Sequence, residues 1–324
     1  MDKRFFLALT GLVILIGVSF WTSSVFTEDK VSNETLKDIV QKRSLWEKQI
    51  RQFGAQKVWA DLTREYATNY NRHAVGHIYG ELLYDIYGNG GLKYCDTGFS
   101  YGCFHSFFGR VLSEQGTDAI GELDKVCIEK FGPVDSGCQH GIGHGILQYL
   151  GPTKLVESLS LCSKISVDGD SCLTGIFMEY NFPAEVSGLE IEEKIRDFKE
   201  EDPYYPCSGV PESFKKSCYY ELPRYWERVL SSDFEYIGQL CQGVSETIEI
   251  KNGCFEGVGE VVSLSTDHSV EETIVRCRQM PDINAEETCR VAASWGFYSL
   301  PEYRDDAPKV CVGLRKEVSE KCAR

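Results

Sequence analysis

From residue 35 onward, apolar residues recur every three or four positions, the interval that lines one face of an α-helix. Leu36, Ile39, Val40, Leu45, Trp46 and Ile50 form one such face, and Gly54 interrupts it. Val58, Trp59, Leu62 and Tyr66 form the next. Further on, short apolar and aromatic helices alternate with amphipathic ones. Turn residues such as Glu114-Gln115-Gly116 and Leu150-Gly151-Pro152 separate them. The stretch from Leu155 to Leu161 is an amphipathic example and runs directly into Cys162. The pattern predicts an all-α fold.

The cysteines set the register of that pattern. Fourteen are present, and they pair by spacing: 95 with 103, 127 with 138, 162 with 172, 207 with 218, 241 with 254, 277 with 289, and 311 with 322. Successive second cysteines lie 35, 34, 46, 36, 35 and 33 residues apart. A period near 35 marks an array of helical hairpins, with one insertion, rich in charge and proline, near residues 185–205. A small or capping residue (Gly102, Gly137, Ser171, Ser217, Gly253, Thr288) precedes the second cysteine, so a helix is expected to begin there. Each bridge closes a short loop and contributes about 2–3 kcal/mol by loop entropy.

One hairpin cannot bury its own apolar face, but a stack can. The expected architecture is a disulfide-stapled α-solenoid. In period and layout it resembles helical-repeat solenoids of the tetratricopeptide and Sel1-like kind, a resemblance that implies no activity. The alternative is a closed α/α toroid, in which glycines let inner helices crowd a central axis.

The N-terminus bears on compartment. Residues 1–4 carry basic charge, and residues 5–26 are largely apolar, reading as a secretory signal or a single membrane anchor. No A-x-A cleavage site follows, and Phe26 is too bulky for a good one, which favours an uncleaved anchor. Residues 27–34 then form a polar juxtamembrane linker, and residues 35–324 form an exported domain. The alternative is secretion after signal cleavage. So many cysteines, with no CxxC pair, fit disulfides in an oxidising compartment rather than a zinc ribbon or thioredoxin motif. The net charge of −15 argues against nucleic acid as a partner.

Candidate chemistry lies in two columns of the repeat. The second residue after the second cysteine is His73, His105, His140, Thr174, Tyr220, Glu256 and Val291 in turn, with Asn71 taking the cysteine's place in the first copy. The sixth is His77, Gly109, His144, Met178, Arg224, Glu260 and Trp295. His73, His77, His105, His140 and His144 are therefore the candidate metal ligands, since i,i+4 positions share a helix face. Neutral imidazoles suit Zn, Cu or Fe. No HExxH glutamate accompanies them, so a zinc-protease reading fails.

Glu179, Glu256 and Glu260 are weaker candidates. Tyr219-Tyr220 and Trp295-Gly296-Phe297 read as core. In a straight stack the two histidine pairs would be roughly 16–20 Å apart, too far for one ion. A tight curve would gather them, and an open array would keep two sites with His105 between. The competing view makes the histidines a buried hydrogen-bonded ladder in a non-catalytic scaffold for a protein or peptide partner.

Overall fold

The computed structural model describes residues 34–324, apart from residues 70, 100, 134–136, 167–168, 184–194, 301 and 324. All regular structure among the described residues is helical. These residues form two compact units, one ending at Gly132 and one beginning at Pro133.

The first unit opens with α1 (Leu36–Gln41), α2 (Arg43–Phe53) and α3 (Ala55–Glu65). Thr35 starts α1 through a capping box, its hydroxyl accepting from the Asp38 N–H while the Asp38 carboxylate accepts from the Thr35 N–H. Helix α4 (Arg72–Tyr87) follows and is buried along most of its length, from Ala74 through Gly80 without a break. It packs on α2 and α3 and, most closely, on α5 (Gly102–Gln115). A Cβ on Gly80 would stand 2.1 Å from the Cys103 carbonyl oxygen, so only glycine lets α4 and α5 approach this closely. Helix α6 (Ile120–Phe131) completes the unit.

The second unit is built on five long helices: α7 (Gly137–Leu150), α9 (Gly169–Asn181), α10 (Glu212–Val229), α12 (Ile248–Ser265) and α14 (Ile283–Ser299). Each packs against the next. The shorter α8 (Leu155–Leu161), α11 (Phe234–Gln242) and α13 (Val270–Cys277) each touch both long helices that they connect. Glycine again sets the spacing: a Cβ on Gly143 would meet the Cys172 carbonyl at 2.1 Å, and one on Gly259 would meet the Cys289 carbonyl at 2.2 Å. Two short helices, α15 (Ala307–Val310) and α16 (Lys316–Ser319), end the chain. Ala307 and Val310 pack there with Ala293, Phe297 and Ala323.

All seven expected cysteine pairs are bridged, and no cysteine is free. Seven disulfides fit an oxidising, extracytoplasmic environment. Residues 5–26, which carry the anchor expectation, lie outside the described residues. Among the described residues no helix is long and apolar enough to cross a membrane.

Two expectations are corrected. The helices do not all begin at the second cysteine. α5 and α7 start at Gly102 and Gly137, but α10, α12 and α14 start at Glu212, Ile248 and Ile283, well upstream of their cysteines. The true caps are earlier: the Thr247 hydroxyl accepts from the Ile250 N–H, and the Asp282 carboxylate accepts from the Asn284 and Ala285 N–H groups. Trp295 is not core. It is 53% exposed, and its indole N–H donates to the Lys321 carbonyl.

The described part of the insertion is tied down by Arg196. Its guanidinium donates to Asn181 Oδ1 and the Tyr205 carbonyl and stacks 3.5 Å from the centre of the Tyr225 ring.

Candidate metal centre

Helix α4 carries His73 and His77 one turn apart, so their rings share a face. His105 comes from α5, which the small residues bring within reach. A Cβ on Gly76 would lie 3.1 Å from the Gly102 Cα, and one on Gly102 would lie 2.6 Å from the His73 carbonyl. His105 ring centroids stand 5.2 Å from His73 and 5.5 Å from His77. One nitrogen from each ring falls within 4.8 Å of the other two. Among the described residues this is the one trio of histidine, cysteine or carboxylate ligand atoms so gathered.

The tautomer of His73 follows from its partner. Its Nδ1 is 2.7 Å from the Phe99 carbonyl, which can only accept, so Nδ1 carries a proton and, in the neutral ring, Nε2 keeps a lone pair. That Nε2 faces His77 Nε2 at 2.9 Å. A histidine that gives its other N–H to a backbone carbonyl is oriented as metal-ligating histidines are. Bonds of ~2.05 Å at tetrahedral angles place ligand nitrogens about 3.3 Å apart. The separations here, from 2.9 Å to within 4.8 Å, bracket that value. His77 and His105 are buried, whereas His73 keeps some exposure.

In the second unit, His140 and His144 repeat the step on α7, with Nε2 atoms 3.1 Å apart. Their partners come from α9. His144 Nδ1 lies 2.8 Å from Glu179 Oε2, which also accepts from the Gln148 amide. His140 Nδ1 lies 3.0 Å from the Thr174 hydroxyl, which itself donates to the Ser171 carbonyl. Burial first, then the neighbouring His144 and the Arg224 charge, pushes the His140 imidazole down to about 3, so it is neutral at physiological pH.

His105 therefore joins the first pair, and Glu179 joins the second. The other carboxylate candidates do not meet a histidine ligand atom in this way. Glu260 Oε1 accepts from the Arg224 guanidinium at 2.7 Å. Glu256 is partly buried, and burial raises its carboxyl above the ordinary range, with Lys216 opposing.

Several polar residues of this face escaped the sequence reading as site candidates. Thr174, Tyr220 and Arg224 occupy the same two columns as the histidines, and that shared register is the signal that could have found them. Tyr220 is partly buried and hydrogen-bonds Glu260. Glu221 is 3% exposed, and burial pushes its carboxyl up to about 8 despite Arg224. Its Oε2 stands 3.6 Å from Arg224 Nε, beyond hydrogen-bond reach. No column signal marks Glu221 or Gln148.

Comparison with family models, with curated proteins and with solved structures finds no match to this chain.

Proposed function

We propose that this chain is an exported, disulfide-stapled helical-repeat protein that binds a transition metal through His73, His77 and His105. The observation that carries the reading is the convergence of three imidazole nitrogens within 4.8 Å. Zinc, copper and iron all accept such a set. Three imidazoles leave a coordination position open, and His73 is the partly exposed member, the arrangement that catalytic metal sites use to activate water or hold a substrate.

The solenoid reading is supported within the second unit by the five long helices packed in succession. The basic flank and apolar segment at residues 1–26 support retention on the outer face of a membrane, with secretion as the alternative.

The test is metal content. The purified full-length protein, loaded with Zn2+ and then dialysed, should retain one ion more than a variant with His73, His77 and His105 all changed to glutamine. A wild type that takes up no Zn2+, Cu2+ or Fe2+ at these residues would favour a scaffold with structural histidines.

A further inference from the structure

We infer that His140 and His144 form a second, separate transition-metal site, with Glu179 as the carboxylate that orients it. The Thr174 hydroxyl spends its hydrogen on the Ser171 carbonyl, so toward His140 Nδ1 it accepts. His140 Nδ1 therefore carries a proton, and its Nε2 has a lone pair. Glu179 Oε2 already accepts from the Gln148 amide, so toward His144 Nδ1 it is an acceptor as well. In the neutral ring His144 Nε2 then has a lone pair too.

Two lone pairs face each other at 3.1 Å. Left alone, that contact is repulsive, and the gap is too narrow for a bridging water. A cation between the nitrogens turns the repulsion into two bonds. An ion with bonds of ~2.0–2.1 Å fits after the rings part by a few tenths of an ångström.

The surroundings suit a metal ion. Each Nδ1–H is anchored on an acceptor from the neighbouring helix, the arrangement that holds metal-ligating imidazoles in place. Glu179 is 3% exposed and supplies negative charge to offset the ion. His144 is buried, while His140 keeps some exposure, leaving a side for solvent ligands to complete the shell. The ligand class is a first-row ion that favours imidazole, of the Zn2+ or Cu2+ kind. A shared proton is the rival occupant of the gap, and it would have to convert one ring to imidazolium.

The second site stands on its own residues and does not depend on the first. The test counts Zn2+ ions on the full chain by calorimetry. Wild type should take two. His140→Gln with His144→Gln should take one, and the variant lacking His73, His77 and His105 should also take one. The Glu179→Gln variant should keep the helical signal and weaken only the second ion, by about tenfold or more.

One ion on wild type, lost with the His73 group and untouched at His140 and His144, would overturn this inference and leave the first centre standing. One ion that survives loss of the His73 group would do the reverse. A Glu179→Gln protein that holds both ions as tightly as wild type would also contradict it. Should the double glutamine variant fail to fold, the Glu179→Gln titration decides.

Discussion

His73 and His77 hold their Nε2 atoms 2.9 Å apart across a single turn of α4. His140 and His144 do the same across one turn of α7, at 3.1 Å. In both pairs the first ring keeps some exposure and the second is buried. In both, the Nδ1 of at least one ring is anchored on an acceptor outside its own helix. The spacing follows from the helix: residues four apart stack on one face, and long-axis rings at those positions point the same way. What differs is the third group. α5 supplies His105 to the first pair, whereas α9 supplies Glu179 to the second, behind the ring rather than beside the open nitrogens.

Glycine sets how near the histidine-bearing helices come to their neighbours. Gly143→Ala would drive a methyl to 2.1 Å from the Cys172 carbonyl. The atoms it would meet are backbone, so the helices must separate, at a cost of about 1–3 kcal/mol. Gly121 on α6 has nothing within 4 Å of an added Cβ. Gly121→Ala should instead stabilise by up to ~1 kcal/mol through helix propensity. Urea denaturation of the two variants reads the contrast, and equal effects would refute the close-packing account.

The disulfides are local, so their contributions should be modest and similar. Replacing both Cys241 and Cys254 opens a bridge of sequence separation 13. The expected loss is about 2–3 kcal/mol, with the helical signal retained. Chemical denaturation under non-reducing conditions measures it. A variant that does not fold at all would mean that the bridge, rather than packing, specifies α12.

Glu221 makes stability depend on pH. Its folded carboxyl sits at about 8, above its ordinary value, because it is buried. The folded state then binds a proton that the unfolded state releases between the ordinary carboxylate range and about pH 8. The associated stability is full in acid and is lost as pH rises through that window. Glu221→Gln should flatten this decline in thermal unfolding scans. An unchanged pH profile would place Glu221 outside the titrating set.

The helices and staples were legible because both follow a local rule. Apolar spacing marks helix faces, and the short, regularly repeated cysteine intervals point to bridges between sequence neighbours. Helix starts were less legible. The small residue before a cysteine resembles a cap, yet Ser217, Gly253 and Thr288 sit inside helices whose real caps lie upstream. Trp295 shares a column with His77 and His144, but it lies on α14, the last long helix, and remains exposed. Within the sites, i,i+4 pairing could be read from the chain. The choice of His105 over His140 as third partner, and of Glu179 over Glu256 or Glu260, could not. Those depend on which helices the glycines let touch, and a column alignment carries no such distances.

The central claim is a metal ion held by His73, His77 and His105, and anomalous diffraction from crystals of the Zn2+-loaded protein tests it most directly. The account predicts a peak at the zinc edge about 2.0–2.1 Å from a nitrogen of each of the three rings, with the His73 Nδ1–H still on the Phe99 carbonyl. Saturating zinc with no peak among these rings, and His77 hydrogen-bonded to His73 as before, would contradict it.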